Sequence, residues 1–223
     1  MSPILAVIST DVMSALTGSM LSDGHIAFPY QGSLNARFRL TQSTANLPLV
    51  VFFHNLLGEW TKARIIPWPN ISLPQHAGKI VIQYSFVTRS MSLFTALHNL
   101  WYRWDSLKSK WVRILPANIG ELLTPIALAH WIMGDGTESM GGLVLCTDNF
   151  TLAEVTQLRA LLLANFGLTN TLVMHGKTLA NPNGNPRIRI PKHEMPKLRG
   201  IVTPHMLPSF MYKLSVLNSP TIE

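Results

Sequence analysis

The stretch Leu-Ala-His-Trp-Ile-Met-Gly-Asp-Gly-Thr, at residues 128–137, decides how the whole chain is interpreted. It has a counterpart in Leu-Thr-Gly-Ser-Met-Leu-Ser-Asp-Gly at residues 16–24. In both, a helix-like run of apolar and small residues ends in one acid, Asp23 or Asp135, followed by glycine. Two such runs about half a chain apart predict a duplicated unit with a pseudo-two-fold axis and two symmetrically placed acids.

Small residues along both runs predict that the two helices pack side by side, because they let helix backbones approach closely. The positions concerned are Ser14, Gly18 and Ser22 in the first run and Ala127, His130 and Gly134 in the second. Such packing would bring Asp23 and Asp135 together at helix C-termini, where the acids repel and the dipole is negative. A divalent cation resolves both problems, and carboxylate oxygens favour Mg²⁺. The alternative is that each Asp-Gly pair merely ends a helix, but two matched copies favour a metal site.

The 223-residue chain is long enough for one large domain or two small ones, and it is poor in charge. Charged residues make up 13% of it, about half of the usual share of roughly 25%. The 18 Lys+Arg against 11 Asp+Glu give a net charge of +7. This excess favours a polyanionic partner, although a soluble basic protein without one has the same balance.

Composition also excludes several kinds of protein. A single cysteine, Cys146, rules out an intramolecular disulfide and a cysteine-cluster zinc site. No apolar stretch approaches the roughly 20 residues of a membrane span; the nearest candidate, residues 122–133, is interrupted by Pro125 and His130. Residues 1–15 contain no basic residue, so we expect no targeting signal and a protein that works where it is made.

Periodicity and turn residues predict two αββαββ units. Helices are expected at residues 10–22, 46–60, 92–104, 124–134, 151–166, 195–202 and 208–217, and strands at 25–30, 34–42, 62–67, 79–88, 142–147, 168–175 and 186–190. Thr10 or Asp11 would cap the first helix and Gly24 would end it. Thr151 and Glu154 predict a capping box at the start of residues 151–166. Residues 105–120 are interpreted as the linker.

Arginines alternate with apolar residues along two of the predicted strands. Arg37 and Arg39 share one strand face, and Arg187 and Arg189 share another at what we take to be the equivalent place in the repeat. An ordinary solvated sheet face would also show this pattern. Because charges are scarce and Asn and Thr neighbours suit base edges and phosphates, we favour contact with DNA. The aromatic run at residues 101–104 could stack on bases, but its helical spacing favours core and linker packing.

The two motifs resemble those of the LAGLIDADG homing endonucleases, in their single-chain, two-motif form. The likeness extends to Lys110-Trp111, Ile114-Leu115-Pro116 and the ending Tyr212-Lys213-Leu214, and is greatest for versions encoded in fungal mitochondrial introns. The first motif departs from the consensus at Thr17, Ser19 and Leu21. The resemblance implies an α+β fold of two pseudo-symmetric αββαββα subdomains, joined at paired motif helices, with two antiparallel sheets forming a DNA-binding saddle. The halves would be residues 1–105 and 121–223, with a linker at 106–120.

The resemblance also implies which residues act. Asp23 and Asp135 would bind the metal with the backbone carbonyls of Ser22 and Gly134. Gln42 would be a polar neighbour of the first metal, with Asp148 in its place in the second half. Arg89 and Lys192 would be the basic catalytic residues. The expected DNA-binding residues are Asn35, Arg37, Arg39, Thr41, Gln83, His175, Lys177, Asn183, Asn185, Arg187 and Arg189.

The function so implied is that of a monomeric, site-specific endonuclease that cuts both strands of a long asymmetric DNA target. Mg²⁺ would be the cofactor, or another divalent metal such as Mn²⁺ or Ca²⁺ in its place, and the expected location is the mitochondrion. Two other functions stay open: an RNA-binding intron maturase on the same scaffold, with or without cleavage, and a non-catalytic DNA-binding module. Intact acids in both motifs favour cleavage.

Overall fold

The computed structural model describes residues 5, 7–61, 64–179 and 181–215. The first residues of the predicted strand at 62–67 therefore lie outside the described residues. The same is true of the last residues of the predicted helix at 208–217. The chain divides into two compact units: Met1–Val12 with Asp23–Trp101, and Met13–Ser22 with Tyr102–Glu223. This division differs from the predicted halves, because most of the first motif helix groups with the second unit.

The order helix, two strands, helix, two strands, helix occurs twice along the chain, as predicted. The first copy consists of α1 (Thr10–Leu21), β1 (His25–Ala27), β2 (Arg37–Ser43), α2 (Leu47–Leu56), β3 (Ile66–Trp68), β4 (Gln83–Val87) and α3 (Ser92–Trp101). Between the copies lie β5 (Tyr102–Asp105), β6 (Lys110–Arg113) and the short α4 (Ile119–Leu122). The second copy consists of α5 (Pro125–Asp135), β7 (Gly136–Ser139), β8 (Gly142–Leu145), α6 (Leu152–Phe166), β9 (Thr171–His175), β10 (Asn185–Ile190) and α7 (Met195–Val202). A 3-10 helix follows at Pro208–Leu214.

Each copy contains one four-stranded sheet, and the two sheets have the same topology. The strand orders are β1-β2-β4-β3 and β7-β8-β10-β9, and the pairs between neighbours are antiparallel. Matching the orders makes β2 the counterpart of β8, and β4 the counterpart of β10. The α+β fold with two antiparallel sheets is thus confirmed.

The core of the first unit is built on the buried face of β2. Phe38 and Leu40 alternate with exposed or half-exposed residues on this strand, as the period of two predicts. The Phe38 ring lies 6.1 Å from Phe53 of α2 and 6.1 Å from Phe86 of β4. Each buried phenylalanine contributes about 1.5–3 kcal/mol through removal of its surface from water. Leu34, predicted for the same face, precedes the strand and is exposed.

The second unit surrounds the motif helix α5, which is buried from Ala127 to Met133. Thr124 caps α5 by accepting a hydrogen bond from the Ala127 amide, and Pro125 occupies its first turn. The predicted capping box of Thr151 and Glu154 is present on α6. No helix in the described ranges has the length and apolar character required to cross a bilayer.

Several predicted boundaries are wrong because tertiary contacts override local pattern. Ser9, not Thr10 or Asp11, caps α1, since its hydroxyl accepts from the Val12 amide at 3.3 Å. The helix ends at Leu21, so Gly24 lies beyond the capping position. The predicted helix at 92–104 stops at Trp101, and the chain continues as β5, which pairs with β6. The predicted linker therefore contains half of a β-hairpin. β7, directly after the second motif, was not predicted.

Candidate catalytic and nucleic-acid site

The two motif helices pack backbone to backbone inside the second unit. A Cβ atom built on Gly18 of α1 would lie 2.2 Å from the Ala127 carbonyl oxygen and 2.6 Å from the His130 Cβ, both on α5. Only a residue without a side chain fits this distance. The predicted close approach of the motif helices is confirmed. His130 is a packing residue on this interface: its Nδ1 lies 2.9 Å from the Ile126 carbonyl oxygen, and burial lowers its pKa to about 4.

The first acid, Asp23, is exposed and is oriented by an amide relay. The Gln42 Nε2 donates to Asp23 Oδ2 at 2.7 Å. The buried Gln42 side chain is held in turn, because its Oε1 accepts from the Asn46 Nδ2 at 3.1 Å. Gln42 thus lies beside Asp23, where sequence reasoning expected it, while its supporting neighbour Asn46 was missed.

The second acid, Asp135, is half-buried at the last residue of α5. Its carbonyl oxygen accepts from the Cys146 amide at 3.2 Å, and Gly136 pairs with Leu145. In the first sheet His25 pairs with Arg39, so Asp23 stands opposite Thr41. Matching the registers makes Thr147, not Asp148, the counterpart of Gln42. The assignment of Asp148 to that place is therefore wrong.

Thr147 and Asp148 each have other partners. The buried Thr147 hydroxyl donates to the Pro186 carbonyl. The Asp148 carboxylate receives two hydrogen bonds from Arg187, from Nε at 3.0 Å and Nη2 at 2.8 Å. These bonds hold the Asp148 pKa below its ordinary value. The two motif acids consequently have different neighbours in their own sheets.

A cation binds the C-terminal carbonyls of each motif helix. On α1, Arg113 Nη1 donates to the Met20 oxygen at 2.9 Å and to the Ser22 oxygen at 2.8 Å. On α5, the buried Lys213 Nζ donates to the carbonyl oxygens of Ile132, Met133 and Gly134, at 3.2, 2.7 and 3.0 Å. Both cations offset the negative end of a helix dipole directly before a motif acid.

Sequence reasoning missed Arg113 and Lys213 as basic neighbours of the motifs. Their partners are distant along the chain, between 79 and 93 residues away, so no local pattern identifies them. One signal was present: Lys213 stands among apolar residues near the end of the chain, where a buried lysine requires a partner.

Arg89 and Lys192, the predicted basic catalytic residues, are not near the acid of their own half. Ile190 pairs with Leu143, and the Lys192 side chain lies over the turn at Gly141. Asp135 is at the other end of that hairpin, about 15 Å away at roughly 3.4 Å per strand residue. In the first sheet, Val87 and His25 both pair with Arg39. Arg89 lies two residues beyond this set of paired residues in one direction along the strands, and Asp23 lies two residues beyond it in the other direction. The two residues are therefore also roughly 15 Å apart. The two residues lie at the far ends of their sheets, so their catalytic role stays a prediction that the positions within each sheet do not support.

The predicted DNA-binding residues form a separate group in each unit. In the first unit Arg37, Arg39 and Thr41 share the solvent-side face of β2, Gln83 begins β4, and the Asn35 side chain accepts from the Thr95 hydroxyl at 3.2 Å. In the second unit the face of β10 carries Asn185, Arg187 and Arg189, with His175 opposite Asn185, while Lys177 and Asn183 are exposed in the connection between β9 and β10. The prediction that the arginine strands are equivalent is wrong, since β2 corresponds to β8 and not to β10.

The oxygen donors at the ends of the motif helices suit a hard divalent cation whose coordination is completed by other ligands. No three His, Cys, Asp or Glu side chains gather as a ready-made metal cage in the described part of the chain. The available donors are carboxylate and carbonyl oxygens, which Mg²⁺ prefers. The carbonyls of Ser22 and Gly134 already accept from Arg113 and Lys213, but a carbonyl oxygen has a second lone pair. Each acid, with the carbonyl oxygen that precedes it, therefore has the donor chemistry of a ligand to a metal whose remaining ligands include water and phosphate oxygens.

Comparison with known proteins identifies the family. The model of the LAGLIDADG DNA endonuclease family matches residues 13–198, and the chain belongs to that family. The chain is 30% identical over 213 residues to the cytochrome b mRNA maturase bI2 of Saccharomyces cerevisiae, covering 93% of this chain and 48% of the relative. It is 24% identical over 204 residues to the DNA endonuclease I-ChuI of Chlamydomonas applanata, covering 89% and 91%.

A solved structure confirms the fold. The homing endonuclease I-WcaI, bound to its DNA recognition sequence, matches with a TM-score of 0.72 at 20% identity, covering 92% of this chain and 86% of that chain. The present chain spans about half the length of the yeast maturase that it matches.

Proposed function

We propose that this chain is a site-specific double-stranded DNA endonuclease of the homing type that requires a divalent metal, Mg²⁺ in the cell. One observation carries the proposal: each motif acid follows a helix end whose carbonyls bind a cation, Arg113 before Asp23 and Lys213 beside Asp135. The chain thus has two helix ends that each carry an acid and a cation. Each end could serve the reacting phosphate of one DNA strand. The family match and the DNA endonuclease relative support the same reaction.

In this mechanism Asp23 with the Ser22 carbonyl, and Asp135 with the Gly134 carbonyl, would be the divalent-metal ligands. When bound, a divalent metal supplies Lewis acidity to the scissile phosphate and to the attacking water. Gln42 orients the Asp23 carboxylate through its 2.7 Å hydrogen bond. Arg113 and Lys213 offset the negative charge that gathers around each phosphate. Because the second sheet has Thr147 where the first has Gln42, we expect the two strands to be cut at different rates.

Base reading is assigned to the solvent-side faces of β2 and β10. Asp148 binds Arg187 through Nε and Nη2, which leaves the Nη1 edge of the guanidinium for another acceptor. An arginine fork of this kind matches the O6 and N7 atoms of guanine. We therefore assign Arg187 to one guanine of the target, with Asp148 as the residue that positions it. Arg37, Arg39 and Arg189 supply further contacts to bases and phosphates.

A selection for cleaved sites from a randomised DNA library tests the proposal. Incubation with Mg²⁺ should enrich one long asymmetric site cut on both strands, whereas EDTA should abolish enrichment. Parallel incubations with Mn²⁺ and Ca²⁺ show which metals replace Mg²⁺. The proposal is wrong if the folded, full chain enriches no cleaved site with any of these metals.

A second candidate function, intron maturase, is favoured by the similarity to the yeast cytochrome b mRNA maturase. A maturase function would make RNA a partner of this chain. Both proposed functions are consistent with a monomeric protein encoded in a mitochondrial intron. Splicing of the host intron in vitro, measured with and without the protein, tests it. Splicing that is unchanged by saturating protein would contradict this second role and leave the endonuclease proposal intact.

A further inference from the structure

The hairpin between the two copies has two chemically different faces. Tyr102 pairs with Arg113, Arg103 with Val112, Trp104 with Trp111, and Asp105 with Lys110. Because side chains alternate across a strand, Trp104 and Trp111 share a face with Tyr102 and Arg113. The other face carries Arg103, Val112, Asp105 and Lys110. The tip is open to solvent, with Leu107 97% exposed.

The tryptophan pair leaves much aromatic surface in contact with water. The two rings meet edge to face with centroids 5.6 Å apart, which stabilises the hairpin itself. Even so, Trp104 is 50% exposed and Trp111 is 44% exposed. Such aromatic faces are suited to stacking against a planar ligand.

Cations on the other face and at the tip of the hairpin line a cleft that also reaches Trp111. Arg103, Lys108, Lys110 and Trp111 line a cleft of about 840 Å³ between the hairpin and the start of α6. The hairpin carries Arg103, Lys108, Lys110 and Arg113 against one acid, Asp105, for a local balance of +3 (four cations minus one anion). This charge complements a polyanion.

The acids that line the same cleft are engaged within the protein. Asp105 accepts from the amides of Leu107 and Lys108 at 3.0 and 3.1 Å, and these bonds lower its pKa. Asp148 is bound by Arg187. Glu154 accepts from the Leu115 amide at 3.0 Å and completes the α6 capping box. The acids of the cleft are thus engaged within the protein, and Lys108, which pairs with Asp105 at 3.5 Å, keeps a side chain that is 63% exposed to a ligand.

We propose that this hairpin, residues 102–113, is a docking surface for single-stranded RNA that passes around its edge, with bases stacked on Trp104 and Trp111 on one face and phosphates bound by Arg103 and Lys110 on the other face and by Lys108 at the tip. Bases in duplex DNA are stacked on each other and offer no face to an indole ring. Unpaired RNA bases do, and stacking on aromatic side chains is their usual mode of recognition. This surface goes beyond the endonuclease proposal, since none of the five residues belongs to its catalytic set.

Fluorescence anisotropy with a labelled, mixed-sequence, single-stranded RNA of about 12 nucleotides tests the assignment. Replacing both tryptophans, Trp104→Ala with Trp111→Ala, should weaken RNA binding about tenfold or more, since each stacked base contributes about 1–3 kcal/mol. The matched control is Trp68→Ala, which removes a tryptophan that is 53% exposed on β3; it should leave RNA binding unchanged. Replacing Arg103 and Lys110 by glutamine should lower the salt dependence of binding by about 1.4 in the log–log slope, at roughly 0.7 per phosphate contact.

Three controls separate this surface from folding defects and from the nuclease. The pair Trp104→Phe with Trp111→Phe retains aromatic faces and should keep most of the RNA affinity. The alanine variants should cut the selected DNA site at the wild-type rate, which distinguishes loss of RNA binding from loss of the proposed nuclease. The assignment is wrong if the wild-type chain does not bind the RNA, if the alanine pair binds it as tightly as wild type, or if binding to target duplex falls by the same factor.

Discussion

At the scale of single residues, one cation binds the C-terminal carbonyls of each motif helix. Lys213 is buried, which would be costly for an isolated ammonium, but three carbonyl oxygens of α5 satisfy it. Arg113 binds α1 in a similar way. Each cation thus stabilises a helix end and supplies positive charge next to a motif acid.

His130 predicts a pH dependence of stability. Burial lowers its pKa from 6.5 to about 4 in the folded chain. Between pH 4 and 6.5 the unfolded state binds more protons at this histidine than the folded state does. The free energy of unfolding is therefore at its full value above pH 6.5 and falls as the pH drops towards 4. The total loss is roughly 3 kcal/mol, at about 1.4 kcal/mol per pKa unit. Urea unfolding at several pH values measures it.

His130→Gln should remove most of this slope, because glutamine does not titrate there. His193→Gln, at a histidine whose side chain is 74% exposed, should retain it. An unchanged slope in the His130 variant would contradict the assignment. His98 is also buried with a lowered pKa and contributes in the same direction in both variants.

The Asp148–Arg187 pair predicts a change in specificity. Asp148→Asn should release Arg187 and reduce discrimination at one guanine of the target about tenfold or more, since a bidentate arginine contact discriminates by about 1–3 kcal/mol. Cleavage rates on targets with single base-pair substitutions measure this effect. Ser43→Asn, at the counterpart position of the first sheet, is the matched control and should leave that position unchanged. A loss spread evenly over all positions would argue against base reading by Arg187.

At the scale of secondary-structure elements, α1 and α5 approach each other closely at Gly18. Gly18→Ala would place a methyl group 2.2 Å from the Ala127 carbonyl oxygen. We expect destabilisation of about 1–3 kcal/mol or more, the usual cost of overpacking. Urea unfolding of the full chain measures it.

The matched control is Gly200→Ala on α7, where no atom lies within 4 Å of the added methyl group. That change should be neutral or stabilise the protein by up to about 1 kcal/mol through helix propensity. Equal effects of the two substitutions would contradict close packing at Gly18.

Local signals predicted the elements that local interactions determine. The α6 capping box and the alternation around Phe38 and Leu40 depend on residues a few positions apart, and both were found. Residues 102–105 continue the helical spacing of α3 but form a strand, because Lys110–Arg113 pairs with them. The bonds from Arg113 and Lys213 to the motif helices join residues that are far apart along the chain. The apolar surroundings of Lys213 indicate that it needs a partner, but no local pattern identifies which residues the partners are.

At the scale of the whole molecule, one topology occurs twice with different chemistry in each copy. The sheets share a strand order, yet Gln42 supports Asp23 whereas the equivalent Thr147 binds backbone. The arginines also lie on non-equivalent strands, β2 and β10. The two copies thus share the fold and the motif acid, while the proposed reading faces differ, as recognition of the proposed asymmetric target would require.

The central claim is that Asp23 and Asp135 each serve one strand of the same DNA cut. The most direct measurement is linearisation of a supercoiled plasmid carrying the selected site, with Mg²⁺, by the wild type and by Asp23→Asn and Asp135→Asn. Asp11→Asn, which replaces an acid in the first turn of α1, is the control and should cut normally. Each motif variant should bind the site but yield no linear plasmid. Linear plasmid from either motif variant at the wild-type rate would contradict the claim.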